Sequence, residues 1–179
     1  MDTRQAAAQT ARDLFEAHGA AVYRFAAVLL HHHQDAEDCV QEAFLRLLRH
    51  LEAGGDARNL RGWLFTVTAN AARDRFRRRR RWLPWEPAHD VRIPPAELPD
   101  EDGRLKIARA ALARLPERDR LLLALRAQGL SYRDIAAAAR LRPTSVGRLL
   151  ARAADRWEAA IKKDHGYDLL ERHSNPGAR

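Results

Sequence analysis

Only one cysteine, Cys39, occurs in the 179 residues, so no disulfide can form within the chain, and the sequence suits a reducing compartment. Cys39 lies between Asp38 and Val40 in a helical pattern and reads as a small buried apolar residue. Long apolar runs are also lacking. The longest, residues 20–30, is interrupted by Tyr23 and Arg24 and falls short of the about 20 apolar residues a bilayer requires. The first residues, Met1-Asp2-Thr3-Arg4-Gln5, carry no apolar core of a secretion signal. The expectation is a cytoplasmic protein without membrane insertion. The alternating pattern of strands is missing, as are a glycine-rich phosphate loop and a nucleophile–base pair, so neither catalysis nor a cofactor is expected. The run His31-His32-His33 invites a metal reading. Adjacent residues do not converge well on one ion, however, and no Cys or acidic cluster completes a tetrahedral set, so the run reads as a polar loop and no metal is expected.

What the sequence does contain is charge and helix-forming residues. Charged residues make up 31% and hydrophobic ones 46%, with a formal net charge of +8. Such a basic balance favours a polyanionic partner, nucleic acid or an acidic membrane surface, over an inert basic surface. Apolar residues recur at spacings of three and four, which predicts an all-α fold. Helical stretches are expected at residues 4–17, ended by Gly19, and then up to Leu30. A third is expected from an Asp35 N-cap, with Val40, Phe44, Leu47 and Leu51 inward, closed by Gly54 and Gly55. A fourth begins after Asn59, turns Leu60, Leu64, Val67 and Ala71 inward, and runs into Arg77 to Arg81.

Prolines 84, 87, 94, 95 and 99 then crowd one stretch, and proline opposes helix. The expected division is therefore a helical domain over residues 1–81, a Pro-rich linker over 82–102, a second helical domain over 103–163, and a flexible tail over 164–179. In the second domain Leu105, Ala108, Leu112 and Leu115 form one face, and a helix over 117–127 follows Pro116. Ser131, with Asp134 three residues on, caps a short helix over 132–139. Pro143 opens the last long helix, where proline is favoured at the first position.

Two constellations bear on function. The short helix with Ile135, Ala136 and Ala139, a tight turn, and a helix opening Pro143-Thr144-Ser145-Val146 make a helix-turn-helix pattern. Its second helix offers Arg142, Thr144, Ser145, Arg148 and Arg152 to a groove, where arginine can grip guanine with two bonds and hydroxyls suit phosphates. An ordinary helical hairpin with a solvated basic face would share that pattern. The other constellation pairs an acidic and amide face (Asp35, Asp38, Gln41, Glu42) with a helix ending in Arg73-Asp74-Arg75-Phe76-Arg77 and further arginines. Two solvated faces would look alike, but the contrast suggests two partners, a basic protein surface and a nucleic acid. Asp38 and Glu42 should both lie off the apolar stripe of Val40, Phe44 and Leu47.

The segments Asp35-Ala36-Glu37-Asp38-Cys39-Val40-Gln41-Glu42-Ala43-Phe44, Gly62-Trp63-Leu64-Phe65 with Asn70 and the arginine tract, Leu115-Pro116-Glu117-Arg118, and Gly129-Leu130-Ser131-Tyr132-Arg133-Asp134-Ile135-Ala136 resemble, in order, regions 2.2, 2.3–2.4 and 4 of the extracytoplasmic-function (ECF) sigma factors. That resemblance implies a factor that binds core RNA polymerase, directs it to promoter DNA and helps open the −10 element, commonly under an anti-sigma factor, with the free chain monomeric. It places core-polymerase contacts at Asp35, Asp38, Gln41, Glu42 and Arg46. It places −10 contacts at Asn59, Arg61, Asn70, Arg73, Asp74 and Arg77, and −35 contacts at Arg142, Thr144, Ser145, Arg148 and Arg152. Arg140 stands where the family usually has the glycine of the turn, so a looser or differently shaped turn is expected, and Gly147 stands where it usually has a basic residue, which weakens the helix by about 1 kcal/mol. Trp82 and Trp85 could anchor the linker or stack on a base. The alternatives are a stand-alone helix-turn-helix regulator, which would not need the acidic helix, and a helical adaptor that binds only protein, which would not need the arginines.

Overall fold

The computed structural model describes residues 3–82 and 103–164, in which every regular element is a helix. Three form a first module: α1 (Thr3–Leu30), α2 (His33–Glu52) and α3 (Leu60–Trp82). Four form a second: α4 (Gly103–Ala113), α5 (Glu117–Ala127), α6 (Tyr132–Ala139) and α7 (Pro143–Asp164). The Pro-rich linker, Trp85 and the expected flexible tail lie outside the described residues, as does the side chain of Trp82, the last residue of α3.

The first module folds around Val22, Phe25, Ala26 and Leu29 of α1, Val40, Ala43 and Leu47 of α2, and Leu64, Phe65, Ala69 and Ala72 of α3, all buried. Phe25 and Phe65 meet edge to face at 5.3 Å. Each such large apolar side chain contributes about 1.5–3 kcal/mol by leaving water. Cys39 is fully buried and donates to the carbonyl of Thr68 at 3.5 Å, and burial pushes its thiol up to about 11. It is a packing residue, as its place in the pattern suggested.

Three local expectations need correction. Gly19 does not end a helix; α1 runs through it as one 28-residue element. Gly19 is buried beneath the ring of Phe15, which a Cβ there would touch at 3.4 Å, so packing offsets the about 1 kcal/mol a helix-interior glycine costs. Asp35 is not the N-cap of α2. His32 takes that place, its Nδ1 accepting from the Asp35 N–H at 3.3 Å, and Asp35 sits in the first turn, where the helix dipole favours a carboxylate. Of the histidine run, His31 (φ +52°) and the cap His32 join α1 to α2 and His33 opens α2, so the expected polar loop is two residues long. Finally, Leu105 is 55% exposed, so the inward face of α4 is carried by Ala111, with Leu115 buried just beyond the helix end.

In the second module α5 and α6 have the bounds that the sequence suggested, because Pro116, Gly129 at φ +68° and Ser131 punctuate the chain sharply. Leu121, Leu122 and Leu125 of α5, Ile135, Ala136 and Ala138 of α6, and Val146 and Leu150 of α7 are buried. Asp119 is 1% exposed and holds the Arg156 guanidinium of α7, while Trp157 donates to the carbonyl of Ala108 at 3.0 Å, tying α7 to α5 and α4. The two modules are not separate bodies. α6 packs on α3 and α5 packs on α1, so the buried residues of both make one continuous apolar cluster.

Candidate nucleic-acid interface

The helix-turn-helix is built from α6 and α7. Ser131 Oγ accepts from the Asp134 N–H at 3.2 Å and donates to its carboxylate at 2.6 Å, fixing the start of α6. Arg140 closes α6 in the left-handed conformation (φ 57°, ψ 47°), and the Leu141 N–H reaches back to the carbonyl of Ala136 at 2.8 Å. This is the ordinary glycine-type helix ending, with arginine in it. The turn is not looser; the chain adopts the tight geometry despite the side chain. α7 then turns Val146, Leu150 and Ala153 inward, leaving Thr144, Arg148 and Arg152 exposed and Ser145 half-buried, with exposed Arg142 just ahead of them. All five expected −35 residues thus fall on one free edge or rim of α7.

The expected −10 residues lie along α3 and are differently placed. Asn59 caps α3, its Oδ1 accepting from the Gly62 N–H at 3.0 Å, and its Nδ2 donates to Asp134 of α6 at 2.7 Å. Arg61 donates to the carbonyl of Gln128 and lies over the ring of Phe65 at 5.6 Å. Arg73 donates to the carbonyl of Ala138 at 3.0 Å and to Asn70 Oδ1 at 2.9 Å. Asn70 Oδ1 also accepts from Arg140 at 3.2 Å. Asp74 pairs with Arg77, which is exposed. Four of the six residues are therefore bonded to the second module, a relation that nothing in the sequence announces.

The acidic face of α2 is mixed. Asp38, Gln41 and Arg46 are exposed. Glu42 is not a free surface charge as expected: it is half-buried between Arg46 at 2.5 Å and Arg75 of α3 at 2.7 Å, and so ties α2 to α3. Asp35 is likewise half-buried, 3.6 Å from His32.

The loop between α2 and α3 turns on Gly54 at φ +70°. Beneath it His50 stacks on Trp63 at 4.7 Å and bonds the carbonyl of Asp56 at 3.1 Å. A side chain at Gly55 would strike the His50 ring, so glycine there permits the close approach. The Arg58 guanidinium grips Asp56 through two nitrogens, holding that exposed carboxyl down to about 2. Trp63 is thus half-buried, stacked on His50 and packed against the core.

A helix-turn-helix with a free basic edge, following an all-helical module with an acidic face and a basic edge, defines a DNA-binding transcription protein. Comparison with known proteins narrows the class. Residues 14–82 match Sigma-70 region 2 and residues 105–156 match Sigma-70 region 4. The ECF RNA polymerase sigma factor EcfG of Rhodopseudomonas palustris is 31% identical over 137 residues, 75% of either chain. The fold is similar to that of CnrH in complex with the cytosolic domain of CnrY (TM-score 0.63, 26% identity, 91% of this chain and 99% of that one). It is equally similar to RpoE in complex with the anti-sigma factor NepR from Bartonella quintana (TM-score 0.64, 25% identity, 86% and 96%). The chain belongs to the extracytoplasmic-function sigma factor family. It carries regions 2 and 4 together, which sets it apart from a stand-alone regulator. No helix among the described residues is long and apolar enough to cross a membrane.

Proposed function

We propose that this sigma factor binds core RNA polymerase in the cytoplasm, brings it to promoters through α7 and helps open the −10 region through α3. The observation that carries this reading is the division of α7. Its apolar side is locked in the core by Val146, Leu150 and Ala153, while Thr144, Arg148 and Arg152 are left to solvent on a helix whose N-terminus is free to enter a groove. Asp38, Gln41 and Arg46 are the accessible part of the polymerase-facing surface on α2, with Asp35 and Glu42 at its half-buried margin. Asn59, Arg61, Asn70, Arg73, Asp74 and Arg77 are the −10 set, and Arg142, Thr144, Ser145, Arg148 and Arg152 the −35 set. Residues 1–81 and 103–163 act as the two reading domains and 82–102 as the connector. RpoE is in complex with the anti-sigma factor NepR and CnrH with the cytosolic domain of CnrY, which supports an anti-sigma factor for this chain, monomeric when free. The chemistry of RNA synthesis belongs to the polymerase.

The test is reconstitution. The chain should co-elute with core polymerase and, on a library of random promoters, select transcripts that share elements about two helical turns apart upstream of the start. Failure to co-elute, or transcription starting without a shared element, would sink the reading.

A further inference from the structure

We infer that Arg75 is a positioning residue for the polymerase contact and not a DNA contact: from α3 it anchors the Glu42 carboxylate, so that Glu42 and Arg46 meet the polymerase already oriented. This rests on the assignment of α2 to the polymerase. The three arginines within residues 73–77 take three directions. Arg73 is bonded to the second module, and Arg77 is exposed and pairs with Asp74. Arg75 turns to α2 instead, where its Nη1 donates to Glu42 Oε2 at 2.7 Å. The sequence groups all three as one basic tract, and packing gives Arg75 a partner of its own.

The face of α2 is arranged to receive it. Cys39, Glu42 and Arg46 follow one another at spacings of three and four and so share one side of the helix. That side meets α3, because Cys39 is buried and donates to the carbonyl of Thr68. Asp38, Gln41 and Leu45, spaced in the same way, form an exposed strip beside it. Glu42 and Arg46 therefore stand at the border between the packed side and the open one. Glu42 takes Arg46 on Oε1 and Arg75 on Oε2. A carboxylate has about four lone-pair sites, so two remain for the donors of a partner. The Glu42 side chain is 34% exposed and that of Arg75 22%, so the anchor lies deeper than the group it anchors. Without Arg75, Glu42 would close on Arg46 alone, a helix-surface pair of the weak kind. Both side chains would then be ordered only on binding, at a cost in rotamer freedom that the anchored pair avoids. Charge works the other way, since Arg75 offsets part of the field that draws a basic partner. That attraction is screened within about 10 Å at 0.1 M salt, whereas ordering is felt in full at contact, so orientation prevails.

Substitutions at Arg75 separate orientation from stability and from DNA. Arg75→Met removes the charge and keeps an unbranched apolar stem. Arg75→Lys keeps the charge, and Glu42→Gln keeps the shape of the acceptor without its charge. The full-length variants are titrated against core polymerase well below every Tm, where a modest loss of stability leaves the chain folded and does not alter Kd. Promoter opening is then measured on holoenzyme at saturating core polymerase. Arg75→Met should raise Kd roughly three- to tenfold. Arg75→Lys should recover most of that loss, and the saturated holoenzyme should open promoters at the wild-type rate. In the Glu42→Gln background Arg75→Met should add nothing, because Arg75 acts through Glu42. An unchanged or lowered Kd would overturn the inference, since Arg75 would then only join two helices or compete with the polymerase. Defective opening at saturation would overturn it by making Arg75 a DNA contact, and additive losses in the double variant by making it a direct polymerase contact. Asp38→Ala distinguishes the two levels. If neither Asp38→Ala nor Glu42→Gln changes Kd, the assignment of α2 to the polymerase fails. If Glu42→Gln weakens binding and Arg75→Met does not, that assignment stands and the role of Arg75 alone fails.

Discussion

The two basic edges of this sigma factor use the same residue types and end in opposite states. On α7, Arg148 and Arg152 are exposed, with no bond to the first module among the described residues. On α3, Arg61 and Arg73 are half-buried and bonded to backbone carbonyls of the second module. Arg73 shows the cost: burial, with Arg140 beside it, disfavours its charge relative to water. A guanidinium bonded to carbonyls is stabilised in place and has fewer of its five N–H donors left for a phosphate. Composition therefore marks both edges as basic, and only packing decides which one is offered to DNA in the free chain.

Alanine substitutions should break the symmetry of these edges. In the free chain Arg148→Ala should weaken duplex binding, with its full effect, up to about 3 kcal/mol of discrimination at one base pair, appearing in the holoenzyme. Arg73→Ala should leave free-chain binding unchanged or slightly raise it, and should lower promoter opening once polymerase is present. Binding of promoter variants at two salt concentrations, with and without core polymerase, measures both. If Arg73→Ala weakened free-chain binding as much as Arg148→Ala, the contrast between a covered and an open edge would be wrong.

A second contrast lies in pH. His31 has its pKa lowered to about 4, first by burial and then by Arg120 and Arg109 of the second module. The ordinary value of a histidine is 6.5, so between these values the unfolded chain binds more protons than the folded one. The contribution is present above pH 6.5 and is lost as pH falls toward 4; it should amount to on the order of 2 kcal/mol. Asp56, held by Arg58, loses its contribution only below the ordinary aspartate value of 3.8, so the two windows do not overlap. Urea unfolding across pH 7 to 4 should show a slope that His31→Asn, which tolerates positive φ, removes. A slope that persists in the variant would place its origin elsewhere.

How much of this was legible depends on where the information sits. Helices α5 and α6 are punctuated by Pro116, Gly129 and Ser131, local signals that act within a few residues. The inward faces of α3 and α7 follow from spacing, since Leu64 and Val146 repeat on their helices at the right period. Gly19 misleads because its cost is met by a side chain, Phe15, folding over it. His32 as a cap escapes the usual list of capping residues. The pairing of Asn59 with Asp134, 75 positions apart, is invisible for a deeper reason. Periodicity reports which face of a helix is buried, not what covers it. The residues of both reading edges could thus be named from motif and resemblance, whereas the covering of one by the other could not. Arg140 was the nearest thing to a signal, an arginine where the family pattern has glycine.

That same family pattern makes Gly147 the smallest test of the comparison. Gly147 lies in the second turn of α7, next to Arg148, but faces α6: a Cβ there would come within 3.4 Å of the Tyr132 ring. Tyr132 is 46% exposed, so its ring has room to yield by the few tenths of an ångström required. Gly147→Ala removes backbone freedom from the unfolded chain and restores helix propensity, together worth up to about 1 kcal/mol. Part of that gain is spent moving Tyr132, whose ring also lies under the Arg126 guanidinium at 5.7 Å. The expected net is a stabilisation of about 0.5 kcal/mol, or a Tm higher by a few degrees at most. DNA preference should not change, because the substitution falls on the side of α7 that meets α6, away from Thr144, Arg148 and Arg152. A changed promoter preference in the holoenzyme would mean that the helix rotates to accommodate the methyl group. The open edge would then be set by the packing of α7 on Tyr132 as much as the covered edge is set by the packing of α6 on α3.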